Sequence, residues 1–226
     1  MTREFDLTDS LSLGDLRVYL ARAARVDDGG AVRLVATGGV LAAYVAVLHP
    51  VGLLDSSPTV LGLRTFAVEV SEPVDAVVPL RQLVALVTAL QDEVMDAMAP
   101  VTVTLPDDVR TAGWAAISPP RSGWTTADPI DDETLQRIAR EGIAEVATAV
   151  PTGTGEQIVH KVRSEVWGRP VAGRESIVAG GAFAAVSLGF LGGGGGVAVY
   201  ETGPWTRLST ARGHVLIKGR GGSLLR

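Results

Sequence analysis

Three histidines, His49, His160 and His214, are the side chains best suited to proton transfer or metal ligation. They fall on a strand end, a helix and a hairpin strand, and no two share a ligand spacing such as H-x-x-x-H. A zinc site would need carboxylates from elsewhere in the fold, so no metal and no cofactor is expected. The chain has no cysteine, which removes disulfides, thiolate ligands and thiol nucleophiles. A serine nucleophile would need a histidine and an acid converging in space, and the G-x-S-x-G elbow that presents one is missing. No catalytic residue is assigned.

Two glycine-rich runs invite comparison with phosphate-binding loops. T-G-T-G-E at 152–156 precedes a helix, where free amides attract anions. It lacks the Lys-Ser/Thr pair that binds phosphate and magnesium, and Glu156 would repel phosphate. The glycines at 192–196 follow a helix and precede a strand, the reverse of the order a dinucleotide fold uses. Both runs read as turns. Asp131, Asp132 and Glu133 read as a helix start favoured by the helix dipole, not as metal ligands.

The remaining candidates bind and do not react. Residues 114–124, WAAISPPRSGW, hold two of the four tryptophans around a proline pair and an arginine. Tryptophan and arginine are the residue types most enriched at binding hot spots, and loops are where such sites sit. The competing role for both indoles is to plug a seam between two halves of the chain. Arg64 lies mid-strand on the face that carries Phe66 and Val68. A buried arginine needs an acidic partner, so Arg64 either meets an anionic ligand in a cleft or marks a solvent face. Arg64, Trp114, Arg121 and Trp124 are the candidate residues for a ligand or partner.

The elements that must position them follow from periodicity. Leu13, Leu16, Leu20 and Ala23 recur at helical spacing, with Ser12 as the expected N-cap. Residues 32–37 and 40–48 read as strands joined by Gly38-Gly39, which accept the positive φ of a two-residue hairpin turn. Residues 59–70 read as a third strand. Pro73 and Pro79 bracket an expected linker. Leu80, Leu83, Val87, Leu90, Val94 and Met98 form the stripe of a second helix that ends at Pro100. VTVTL at 101–105 is a short edge strand. Residues 106–129 read as loop. Two helices follow, with stripes through Leu135 to Val146 and Ile158 to Val166. An apolar helix, the glycines and the strands VAVYE, WTRLST and HVLIK close the chain.

That closing unit echoes the first. Displaced by 165 positions, Val32 falls on Val197, Leu34 on Val199, Thr37 on Thr202 and Gly38 on Gly203. Both copies are helix, glycine-containing turn, hairpin, which is consistent with an internal duplication. Helices and strands do not alternate strictly, so the expected class is α+β with mostly antiparallel sheets. The expected organisation is an N-terminal half, 1–105, a Pro- and Trp-containing connection, 106–130, and a C-terminal half, 131–226.

Composition sets the outer bounds. The 226 residues are 46% hydrophobic but only 5% aromatic, so the core must be built from Ala, Val and Leu. The net charge of −5 argues against a nucleic-acid partner. No acidic residue follows Glu201, and the single Arg-Gly-Gly of the tail, beginning at Arg220, does not make a nucleic-acid arm. The start, MTREFDLTDS, is no secretory signal. The uncharged run 176–200 holds an apolar part shorter than the ~20 residues a spanning helix needs, so no membrane is expected.

Gly203-Pro204-Trp205-Thr206-Arg207-Leu208, with LGFLG before it and RGGSLLR after, resembles the end of an uncharacterised group of actinobacterial proteins. The resemblance implies a bacterial cytoplasmic protein. The expected function is non-catalytic interaction or regulation, with a protein partner or a homo-oligomer. The alternative is an enzyme or small-molecule binder with a pocket between the halves.

Overall fold

The computed structural model describes residues 3–52, 55–109, 112–150, 153, 155–192 and 195–219. Thr152, Thr154, two of the glycines at 192–196 and the tail 220–226 lie outside the described residues. The chain divides into two compact units. Unit 1 is Met1–Ala46 with Leu63–Ile117, and unit 2 is Val47–Gly62 with Ser118–Arg226.

Unit 1 contains β1 (Glu4–Leu7), α1 (Ser10–Val26), β2 (Ala31–Thr37), most of β3 (Val40–Leu48), the end of β4 (Thr59–Glu69), β5 (Val74–Pro79), α2 (Leu80–Glu93) and β6 (Val101–Thr104). Its strands run in the order β5-β2-β3-β4, with β1 bridging β4 and β6. The helices α1 and α2 pack on each other. Leu13, Leu16, Leu20 and Leu83 are fully buried beneath them, as the 3.6-residue period requires.

Several local expectations shift. The cap of α1 is Asp9, not Ser12: the Asp9 carboxylate accepts from Ser12 N at 2.7 Å. Residues 74–79 are a strand rather than a linker, because Val74, Ala76 and Val78 alternate inward and the strand pairs with β2 along its length. Helix α2 stops at Glu93, short of Val94 and Met98. Asp92 and Glu93 crowd carboxylates onto the negative end of the helix dipole, where no base offsets them. Val94 turns extended and Met95 is left 99% exposed.

Unit 2 contains β7 (Thr125–Asp131), α3 (Asp132–Ala149), α4 (Glu156–Trp167), β8 (Pro170–Val171), β9 (Arg174–Val178), α5 (Ala179–Ser187), β10 (Gly196–Thr202), β11 (Trp205–Thr210) and β12 (Gly213–Lys218). The strand order is β4-β12-β11-β10-β7, with β4 giving Thr59–Gly62 to this unit. The short α5 lies close on the sheet because it is glycine-rich. A Cβ on Gly181 would stand 2.6 Å from Ile217 Cδ1 and 3.6 Å from Leu208 Cδ1. Strand β7 lies mostly in the stretch expected as loop, and TTADPID offers only Ile130 to the core. The apolar run before α5 divides into β9 and a helix of nine residues.

Every strand pair whose register is defined is antiparallel, and the α+β class is borne out. The expected repeat holds at the level of hydrogen-bond register. Thr37 faces Val40 and Leu34 faces Ala43 in one hairpin. Displaced by 165 positions, Thr202 faces Trp205 and Val199 faces Leu208 in the other.

Candidate functional site

The sheet of unit 2 has one face on α5 and one away from it. Leu208 and Ile217 meet α5. Side chains alternate across a strand, so Tyr200 and Thr202 of β10, Trp205, Arg207 and Ser209 of β11, and His214, Leu216 and Lys218 of β12 share the opposite face. Register then lines them up. Thr126, Tyr200, Arg207 and Leu216 form one row across four strands. Thr202, Trp205 and Lys218 form the next.

Arg207 is the centre of this face. Its guanidinium lies 4.6 Å from the ring centroid of Trp124 and 4.6 Å from that of Tyr200. A cation held between two π faces gains about 0.5–2 kcal/mol per ring, depending on desolvation. Arg207 Nε is buried and has no hydrogen-bond partner among the described residues. Trp124 is fixed in turn by Nε1 donating to Pro120 O at 3.0 Å. Lys218 sits 6.0 Å from the Trp205 ring, whose indole is buried. His214 pairs with Ser209 Oγ at 2.9 Å. Burial, and then the charge of Arg207, hold the His214 imidazole below its ordinary value of 6.5. No carboxylate belongs to the two rows or to the Ser209–His214 pair beside them.

The sequence-derived candidates divide between the units. Arg64 and Trp114 belong to unit 1, Arg121 and Trp124 to unit 2. Arg64 donates to Asp15 and lies 5.6 Å from the Phe66 ring. Trp114 is buried in a short 3-10 turn, Gly113–Ala116. That turn is tied to β2 by Arg33, which donates to Ala115 O at 2.7 Å and forks onto Asp75 at 2.9 and 2.7 Å. Arg121 is exposed on the segment leading to Trp124. Tyr200, Arg207 and Lys218 are not among the candidate residues taken from the sequence, and His214 is there only as a possible proton-transfer or metal residue. The signal for them was present: period-two alternation and two tight turns place Tyr200 opposite Arg207. Trp124 is among the sequence candidates, but its place on this face is not legible there, because β7, which it precedes, carries no period.

One cluster has the residue types of a hydrolase without its geometry. Asp55 Oδ2 and Ser164 Oγ both approach His160 Nε2, at 2.8 and 3.3 Å. A relay needs the acid on one ring nitrogen and the nucleophile on the other. Asp55 instead serves its own loop. Burial would raise its carboxyl, but hydrogen bonds from Ser57 Oγ, Val51 N, His160 and Ser57 N outweigh that and hold it well below the usual carboxylate range. Among the described residues no group of three or more acidic or histidine side chains is placed to hold a metal ion. No described helix is long and apolar enough to cross a membrane.

The fold is that of the bacterial sliding clamps. The chain is similar to a DNA polymerase sliding clamp from Caulobacter crescentus, with a TM-score of 0.51 and 12% identity over 98% of this chain and 66% of that one. A second structure, Caulobacter crescentus pol III beta, gives a TM-score of 0.50, 12% identity and the same coverage. The chain thus spans 66% of the length of the clamps it matches. Residues 1–106 match a domain of unknown function, DUF8010, and residues 119–222 match a second, DUF8185. That pair of matches bears out the expected likeness to an uncharacterised family. No curated protein sequence matches the chain. The likeness to clamps of a DNA polymerase overturns the expectation that set nucleic acid aside. That expectation rested on whole-chain charge and on the single Arg-Gly-Gly of the tail, and neither reports the side chains of one face.

Proposed function

We propose that the chain is a non-catalytic interaction protein of clamp fold, working in the bacterial cytoplasm, that engages single-stranded nucleic acid on the sheet face of unit 2. The observation that carries this reading is the aromatic and basic composition of that face. Trp124 and Tyr200 are held upright by Arg207, and both are only half-buried, so a base has ring surface to stack on. Arg121, Arg207 and Lys218 supply the positive charge that phosphates need, and His214 adds to it when protonated. Thr126, Thr202 and Ser209 offer hydroxyls between the rings. Trp124 and Arg121 are the two sequence candidates that belong to this site. Arg64 and Trp114 serve unit 1 in this proposal, as an ion pair and a buried anchor.

The test is fluorescence anisotropy of a labelled oligonucleotide against a salt series, with a duplex of the same sequence beside it. Single strand should bind, and its affinity should fall linearly with the logarithm of salt. Trp124→Ala should weaken binding by about 1–3 kcal/mol, the range for one lost stacking ring. Arg207→Met should weaken it and flatten the salt slope. A chain that binds neither form at low salt, or a Trp124→Ala variant that binds like the parent, removes the proposal.

A further inference from the structure

Within unit 1, the first turns of α1 and the segment after α2 enclose a groove of about 590 Å³. Leu11, Val18 and Met95 line it, and Leu11 is 63% exposed, Met95 99% and the neighbouring Met98 69%. Burying such a side chain is worth about 1.5–3 kcal/mol, so several left in water at one place mark a surface meant for cover. The walls are fixed. Ser10 N donates to Ala97 O at 3.2 Å and Ser10 Oγ to Asp96 O at 3.1 Å. At the floor, Gln91 Oε1 is buried and meets no donor among the described residues. Gly14 leaves the approach open, since a Cβ there would stand 3.2 Å from that oxygen. The lining residues are flanked by Asp9, Asp92, Glu93 and Asp96, against Arg17.

We propose that this groove receives the segment Ser223-Leu224-Leu225-Arg226 of a second copy of the chain. The groove asks for an apolar, positively flanked segment that brings an N–H donor. Leu224 and Leu225 are apolar neighbours, and Arg220 and Arg226 flank them with the charge that the acidic rim lacks. The backbone amides of the segment supply the donor that Gln91 Oε1 needs. Residues 220–226 follow the last described strand and, fully extended, span about 23–25 Å, enough to reach a neighbouring molecule. The competing occupant on a second copy is the exposed Ile158 of α4. It fits less well, because Glu156 and Glu165 on the same helix would meet the acidic rim.

The experiment is sedimentation velocity on the full chain over a concentration series, with the Leu224→Glu/Leu225→Glu and Val18→Glu variants beside it. The parent should self-associate reversibly. Each variant should lose affinity by on the order of tenfold or more, as removal of a central apolar anchor does, with unchanged circular dichroism. Excess peptide RGGSLLR should dissociate the parent, and RGGSSSR should not. A parent that stays monomeric throughout the series overturns the proposal. So does association that survives the leucine substitutions, or peptide competition indifferent to the leucines. The outcome is independent of oligonucleotide binding, which reads unit 2 alone.

Discussion

Gly142 shows two effects of opposite sign at a single residue. It sits inside α3, where exchanging glycine for alanine ordinarily gains about 1 kcal/mol of helix propensity. Here a Cβ would stand 2.6 Å from Trp167 Cη2 and closer still to Cζ3. The indole cannot retreat, because it is buried and stacked on Phe183 with centroids 4.3 Å apart. Overpacking a fixed core costs about 1–3 kcal/mol, so the steric effect wins. Gly142→Ala should lower stability in urea denaturation by roughly 1 kcal/mol net; a more stable variant would mean the indole moves freely. His214 gives a second prediction at this scale. Its folded-state pKa lies below the ordinary 6.5, through burial and then the Arg207 charge. As pH falls, the unfolded chain takes the proton first. Stability is therefore intact above about 6.5 and declines as pH drops from there through the lowered folded value. Melting temperatures at about pH 7.5 and 5.5 should differ less in His214→Asn than in the parent. Arg207→Met should move the His214 NMR titration back toward its ordinary value.

The two hairpins share register but not turn chemistry. Gly38 and Gly39 both take positive φ, at 59° and 81°. In the second hairpin Gly203 is positive at 51°, and its neighbour is Pro204, whose ring holds φ near −65°. These are the φ signs of type I′ and type II′ turns respectively. Gly39→Pro should therefore unfold the first hairpin, by about 3 kcal/mol or more. Pro204→Gly should cost only about 0.4–1 kcal/mol, through the entropy of the unfolded chain. Chemical denaturation of the two variants compares them directly, and equal losses would mean the turns are of one type. The same contrast explains what the sequence made legible. Where side chains are buried on one face, the period survives in the text: α1, α3, α4, β2, β3 and the closing strands were all readable. Segments with few inward residues carry no period, and so β7 and β8 were missed; β1 does alternate, with Phe5 and Leu7 inward, but over only four residues. Val74 to Val78 did alternate, but the flanking prolines masked it. The rows on the closing strands follow from period and turns; what the sequence hid is that Trp124 joins them, since the adjoining β7 carries no period of its own.

At the scale of the molecule, charge and connectivity both depart from a linear reading. A net charge of −5 coexists with two rows across unit 2 that are aromatic, basic and hydroxyl but for Leu216 and include no carboxylate, so the sum over the chain misjudged the face. Connectivity is likewise not sequential, because unit 2 takes Val47–Gly62 from the N-terminal part of the chain. That piece brings Val60 and Leu61, which are 0% and 1% exposed, and Asp55, which holds His160 at 2.8 Å. Burying the two aliphatic side chains is worth about 3–6 kcal/mol together. Domains of this size have about 5–15 kcal/mol of stability in all. A fragment cut at the obvious loop, residues 118–226, should therefore lack a cooperative urea transition. It would also leave one side of β12 open, an invitation to aggregation. The same fragment with residues 47–62 joined through a flexible linker should recover a sigmoidal transition and disperse amide signals in NMR. If the bare fragment unfolds cooperatively with undiminished stability, the strand from the N-terminal part is ornament and unit 2 is built from its own contiguous sequence.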